Sequence, residues 1–381
     1  MIANSMFNTI IERVKDTNCK KLKTVSLITR GRDCQNFINK IKEKKPLFLL
    51  VIGSTETALI PGISAAGQNP EELKLTPALD ADFLTFKLEE FKKKLPVSPN
   101  GIPSPAILSK AMTELLELDI NVVDVGAFIK PQGKHISLNM GPAKCLTTGN
   151  ALGPIKTNFL FQKGEKLAAN LTNYPYIVIG ECVPGGTTTA LSVLCALGIN
   201  ALDLVSSSFP EGNHMWKNQT VKDALLAHAE KFSSIKKNPL KAAEYFGDPM
   251  QIFLCGFIKG AQKAEIPIML AGGSQMIAVH YLARKFLEYD PHDTIVSTTS
   301  WITNDKNAKT KKLAELCGVP LISSNIHFKE SKYSGLNAYE QGHIKEGVGA
   351  GGLMTVAELY KDVSQETIVS EIEKIYSQII L

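Results

Sequence analysis

The feature that most limits what this chain can fold into is an alternation of short β-branched runs with longer stretches of helical period. Strand candidates fall at residues 24–29, 47–52, 120–125, 176–180, 266–271, 294–298 and 319–322. Several are apolar at consecutive positions, the pattern of strands covered on both faces within a parallel sheet. Helical segments fit between them at 33–44, 105–118, 186–197, 274–287 and 304–316, and Pro154 opens another running to about Leu171. The alternation predicts an α/β fold, a doubly wound and mainly parallel sheet with helices on both faces. Sheets of that kind bind ligands at the carboxyl ends of their strands.

Two zones break the rhythm. Residues 53–104 are rich in Gly, Pro, Ser and Thr, and residues 323–352 hold no strand pattern and end in a glycine run. Loops of that length inside a domain are usually functional or disordered. Residues 365–379 return to helical period, with Ile368, Ile372, Ile375 and Ile379 forming a stripe that clasps either the sheet or a partner subunit. The expected organisation is one α/β domain over 1–381, with a smaller accessory portion from the N-terminal helix and parts of 53–104.

Composition narrows the function classes. A net charge of +5 with lysine clusters spread along the chain gives no basic stripe for nucleic acid. No apolar run reaches the ~18–20 residues of a membrane span, and the first fifteen residues lack a signal-peptide core. Seven cysteines without a C-x-x-C pair, several inside apolar runs, read as buried hydrophobes in a reducing, cytoplasmic setting. The seven histidines show no ligand spacing, so no metal is expected. The acidic pair Asp80 and Asp82 reads as a solvated turn, with metal or sugar binding as the alternative; the role of Glu56 stays open.

Two glycine-rich loops carry the chemistry. The first runs Gly180-Glu181-Cys-Val-Pro-Gly185-Gly186-Thr187-Thr188-Thr189, following a strand and opening a helix. Free N–H groups, the helix dipole and glycine's small size make such a turn a phosphate site, although an ordinary helix cap gives the same pattern. No lysine lies in the loop, so it is not a Walker A motif. Glu181 would repel a phosphate, so it needs another task such as a ribose hydroxyl or a cationic ring, unless it merely caps the strand end. The second loop, Gly342-His-Ile-Lys345-Glu346-Gly347-Val-Gly349-Ala-Gly-Gly352, formally contains the dinucleotide fingerprint. No strand precedes it and too little chain follows to complete a βαβ unit, which excludes a Rossmann dinucleotide site there.

These two loops resemble the nicotinate-nucleotide–dimethylbenzimidazole phosphoribosyltransferases, and more closely a divergent prokaryotic branch carrying Gly-Glu-x-x-Pro-Gly-Gly-Thr-Thr-Thr-Ala-Leu, which Gly180 to Leu191 matches throughout. A third segment, Ala271-Gly272-Gly273-Ser274-Gln275, resembles one that lines the family's nucleotide pocket. The resemblance implies Glu346 as catalytic base. It implies nucleotide and phosphate contacts from Glu181, Gly185, Gly186, Thr187, Thr188, Gly272, Gly273, Ser274, Gly347 and Gly349, with Ser64 near the base. Two places depart from the pattern: Gly53-Ser-Thr-Glu56 replaces an Asp-His-Gly, and Lys345 replaces the glycine before the catalytic Glu. The implied substrates are nicotinate mononucleotide and a nitrogenous base, of benzimidazole or purine type. No cofactor is implied, and a homodimer is. Two other readings remain: a related nucleotide enzyme with another acceptor, and a non-catalytic nucleotide-binding or regulatory protein.

Overall fold

A computed structural model describes residues 22–91, 102–207, 209 and 213–380. Its frame is an eight-stranded sheet: β1 (Val25–Thr29), β2 (Leu47–Gly53), β3 (Asp119–Gly126), β4 (Ile136–Ser137), β5 (Ile177–Cys182), β6 (Ile268–Ala271), β7 (Thr294–Thr299) and β8 (Leu321–Ser324). The order across the sheet is β1-β8-β7-β6-β5-β2-β3-β4, and every pairing is parallel except β1 with β8.

The consecutive apolar runs are explained by burial on both faces. Along β2, Leu47, Leu49 and Val51 join one core while Phe48, Leu50 and Ile52 join the other. Helices Gly153–Ala169, Gly186–Ala196, Pro249–Lys263 and Ser274–Leu287 cover the first face. Helices Gly31–Ile41, Ala106–Leu115, Ala350–Lys361 and Gln365–Ile380 cover the second. The doubly wound α/β expectation holds, and all seven expected strands are present.

Several details differ from expectation. The zone 53–104 contains a long helix, Pro70–Thr85, whose start is set by Asn69: its Oδ1 accepts the Glu72 N–H at 3.0 Å. Pro77 inside it and burial on nearly all sides hide its period in the sequence. Asp80 and Asp82 are buried on this helix, so they are not a solvated turn. The expected helix at 304–316 splits into Ser300–Thr303 and Thr310–Cys317, and Ser334–Glu340 lies in the second irregular zone. Ile368, Ile372 and Ile375 of the C-terminal stripe are buried against the second core, with Ile379 partly buried beside them. The expected N-terminal helix and residues 92–101 lie outside the described residues. Among the described residues, no helix is long and apolar enough to cross a membrane.

Candidate functional site

β2 and β5 lie side by side at the centre, and the chain leaves them in opposite directions: β3 and β4 on one side, β6 to β8 on the other. Connections that diverge in this way open a crevice past the carboxyl ends of the strands. A cavity of about 110 Å³, partly open to solvent, lies in it. Both glycine loops line it.

The first wall is the end of β5. Gly185 turns the chain in the left-handed region (φ 77°) and the helix begins at Gly186. Thr187 Oγ1 accepts a hydrogen bond from Lys217 Nζ at 2.9 Å, and the same ammonium donates to the Ser206 carbonyl at 3.0 Å. Lys217 is only 1% exposed, and no described carboxylate pairs with it. Burial pushes its pKa down to about 7, the Lys345 charge pushes the same way, and Asp305 opposes both. A buried lysine beside a helix N-terminus, bonded directly to a hydroxyl and a carbonyl, has the chemistry to receive an anion. Nothing in the sequence distinguishes Lys217 from the other lysines.

Two carboxyl groups line the same cavity. Glu181 Oε2 accepts the Val183 N–H and Oε1 accepts from Gln275 Nε2, both at 3.0 Å. Burial raises its pKa to about 8, with the charges of Asp248 and Glu346 adding to the rise. Glu346 Oε1 accepts the N–H groups of Gly347 and Gly351, and Oε2 accepts from Thr298 Oγ1, all at 3.1 Å. Burial raises this group to about 7, and those hydrogen bonds hold it from rising further. A carboxyl group titrating near neutrality can take up and release a proton at working pH.

The two loops touch. The Val348 N–H donates to the Glu181 carbonyl at 3.0 Å. Gly351 lies so close beneath the loop bearing Glu346 that a Cβ there would stand 2.3 Å from the Thr298 carbonyl carbon and 2.5 Å from Glu346 Oε2. Ile344 (φ 38°) and Val348 (φ 54°), two residues either side of Glu346, are β-branched residues in the left-handed region. Strain of that kind persists where the surroundings over-determine the backbone, as at functional sites.

The structure brings together Ser64, Glu181, Gly185, Gly186, Thr187, Glu346 and Gly347, all of which line the cavity. It does not bring Thr188, Gly349, Gly272, Gly273 or Ser274 to that lining. Thr188 is buried behind it, Gly349 packs against Gly180 and Phe48, and the Gly272 N–H bonds the Ser297 carbonyl. Ser274 Oγ instead accepts the Ser206 N–H at 2.9 Å. From that third segment the residue reaching the cavity is Gln275. Asp80 also lines it, held by Ser104 Oγ at 2.8 Å and raised to about 6 by burial. Asp82 instead accepts the N–H groups of Gln132 and Gly133, and Glu56 the N–H of Cys145, away from the cavity.

A phosphoribosyltransferase family model matches residues 107–327, more than half of the chain. The chain belongs to that family. Its relatives include a UPF0284 protein of Trichodesmium erythraeum, 36% identical over 366 residues that span 93% of this chain and 99% of that protein. Another, from Microcystis aeruginosa, is 39% identical over 365 residues, covering 93% and 98% of the two chains. Among solved structures, the nicotinate-nucleotide–dimethylbenzimidazole phosphoribosyltransferase of Thermus thermophilus superposes with a TM-score of 0.59 over 90% of this chain and 92% of that one. At 15% identity that match establishes a shared fold. Within this phosphoribosyltransferase family member, the matched stretch includes Glu181, the Gly185–Gly186 turn, Lys217 and Gln275, while Glu346 follows it.

Proposed function

We propose that this family member transfers the 5-phosphoribosyl group of nicotinate mononucleotide to a nitrogenous base of benzimidazole or purine type, forming the nucleotide of a cobamide lower ligand. The observation that carries the reading is the convergence on one cavity of a buried, carboxylate-free Lys217 at a helix N-terminus and a near-neutral Glu346. The 5′-phosphate binds Lys217, Thr187 and the Gly185–Gly186 turn. The ribose then extends toward the carboxyl groups.

The pyridinium nitrogen of nicotinate mononucleotide is positively charged, so breaking its bond to C1′ returns the electron pair to the ring and releases neutral-ring nicotinate without an acid. The incoming base forms a new bond from its ring nitrogen to C1′ on the opposite face, inverting the centre to α. That base must shed its N–H proton, which passes to Glu346 and then to solvent. Glu181, held mostly protonated at neutral pH, adds no second negative charge beside the phosphate. A carboxyl group at a pKa of about 7 suits this single proton transfer.

The test incubates the protein with nicotinate mononucleotide and, separately, dimethylbenzimidazole, benzimidazole and adenine, following nicotinate and ribotide by mass spectrometry. Base-dependent release with equimolar ribotide supports transfer. Release without any base indicates a hydrolase, and binding without release indicates a regulatory protein.

A further inference from the structure

Lys345 stands where the resembled family has glycine, and its surroundings give it a task. Its side chain is 2% exposed. Nζ lies 2.6 Å from Asp305 Oδ2, itself buried, and donates to the Ser207 carbonyl at 2.8 Å. Its backbone carbonyl accepts from Thr299 Oγ1 at 2.5 Å, and the next residue, Glu346, accepts from Thr298 Oγ1. The end of β7 and Asp305, in the loop after the short helix Ser300–Thr303, thus grip residues 345 and 346 at three points.

The Ser207 carbonyl is the neighbour of the Ser206 carbonyl, which receives Lys217. Two buried lysines, one on the anion site and one on the loop bearing Glu346, therefore hang from consecutive peptide groups. The same short segment also reaches the other side of the cavity: Ser207 Oγ bonds Asn213, whose Nδ2 donates to the carbonyls of Gly62 and Ile63 beside Ser64.

We propose that Lys345 is a positioning residue that couples occupation of the Lys217 anion site to the placement of Glu346, through the adjacent carbonyls of Ser206 and Ser207 and the buried partner Asp305. A dianion drawing on Lys217 shifts its hold on Ser206, and the next peptide carries that shift to Lys345 and the strained 344–348 loop. A bare glycine at 345 has no such side-chain link. The proposal rests on the anion site of the preceding section but not on the identity of the acceptor.

The test uses inorganic phosphate as probe and hydrogen–deuterium exchange as readout, so it needs no turnover. In the wild type, phosphate binding is expected to slow exchange of the amides of 344–349. In Lys345→Met, phosphate should bind with a Kd within about twofold of wild type by calorimetry, yet leave 344–349 exchanging as in the free protein. Asp305→Asn keeps the lysine and the shape, and should give a partial loss of the same effect if Lys345→Met folds poorly. With nicotinate mononucleotide, Lys345→Met should lower kcat by about 10² with KM nearly unchanged, the scale of a misplaced catalytic group. Equal slowing of 344–349 in Lys345→Met, or bound phosphate with no slowing in the wild type, overturns the coupling while leaving the functional reading standing. Failure of phosphate to bind the wild type at millimolar concentration sinks both.

Discussion

Replacing Glu346 by Gln separates its catalytic and structural consequences. The amide oxygen keeps the bonds from Gly347 and Gly351, and the Thr298 hydroxyl can turn to accept from the new NH₂, while the fixed Thr299 N–H loses its acceptor, as it does with a protonated Glu346. What disappears is an ionisable group that the fold holds at about 7 against an ordinary 4.5. Because folding raises this pKa, the folded protein binds more protons than the unfolded chain between those values. The group's contribution is therefore intact below about pH 4.5 and is lost as pH rises through 7. Ionising it in place costs about 3 kcal/mol at pH 8, from 1.36 kcal/mol per unit. With about 2.1 cal/mol/K of unfolding entropy per residue, that corresponds to roughly 4 °C in Tm for a chain of this length. Calorimetry of Glu346→Gln should show that gain at pH 8 and none near pH 4.5, while turnover falls by about 10² to 10⁴. Wild-type turnover would remove Glu346 from the chemistry. A Tm difference between variant and wild type that is the same at both pH values would refute the burial argument for its pKa.

Three further outcomes follow from the same geometry. The pH profile of kcat/KM should be a narrow bell near pH 7, rising as Glu346 loses its proton and falling as Lys217 loses its own, and a profile flat from pH 6 to 9 would contradict both assignments. Lys217→Met should raise the Kd for nicotinate mononucleotide by about 10- to 150-fold, the worth of a charge-assisted hydrogen bond, and move the alkaline limb up to the Glu181 titration at about 8; calorimetry and the repeated profile check this. Gly351→Ala should lower both Tm and turnover, because its Cβ meets the Thr298 backbone and Glu346 together, and an unchanged Tm by calorimetry would show that the loop has more room than its geometry allows.

What the sequence disclosed, and what it hid, follows the physics of each feature. The two glycine loops were legible because close backbone approach leaves glycine little alternative: Gly180 and Gly349 pack against each other, and Gly351 lies beneath a carboxylate. The strands announced themselves through burial on both faces. Strand direction leaves no such mark, so the antiparallel sense of β1 was invisible although the strand itself was not, and a two-residue strand such as β4 carries no pattern at all. Lys217 reaches the cavity from a helix whose sequence reads as ordinary, and in the third segment it is Gln275, not the glycines or Ser274, that the fold places beside Glu181. Asp80 looked solvated because its helix, with an internal proline and burial on most sides, shows no apolar stripe. Ile368, Ile372 and Ile375 form a stripe that suits a partner subunit equally well, and three-dimensional packing assigns it to the chain's own core.

The most direct measurement is a crystal structure of the protein soaked with nicotinate mononucleotide in the absence of a base. The account predicts the 5′-phosphate against Lys217 Nζ, Thr187 Oγ1 and the Gly185–Gly186 turn, with C1′ open on the side facing Glu346. Density with the pyridine ring against Lys217, or a phosphate bound away from the Gly186 helix, would contradict it.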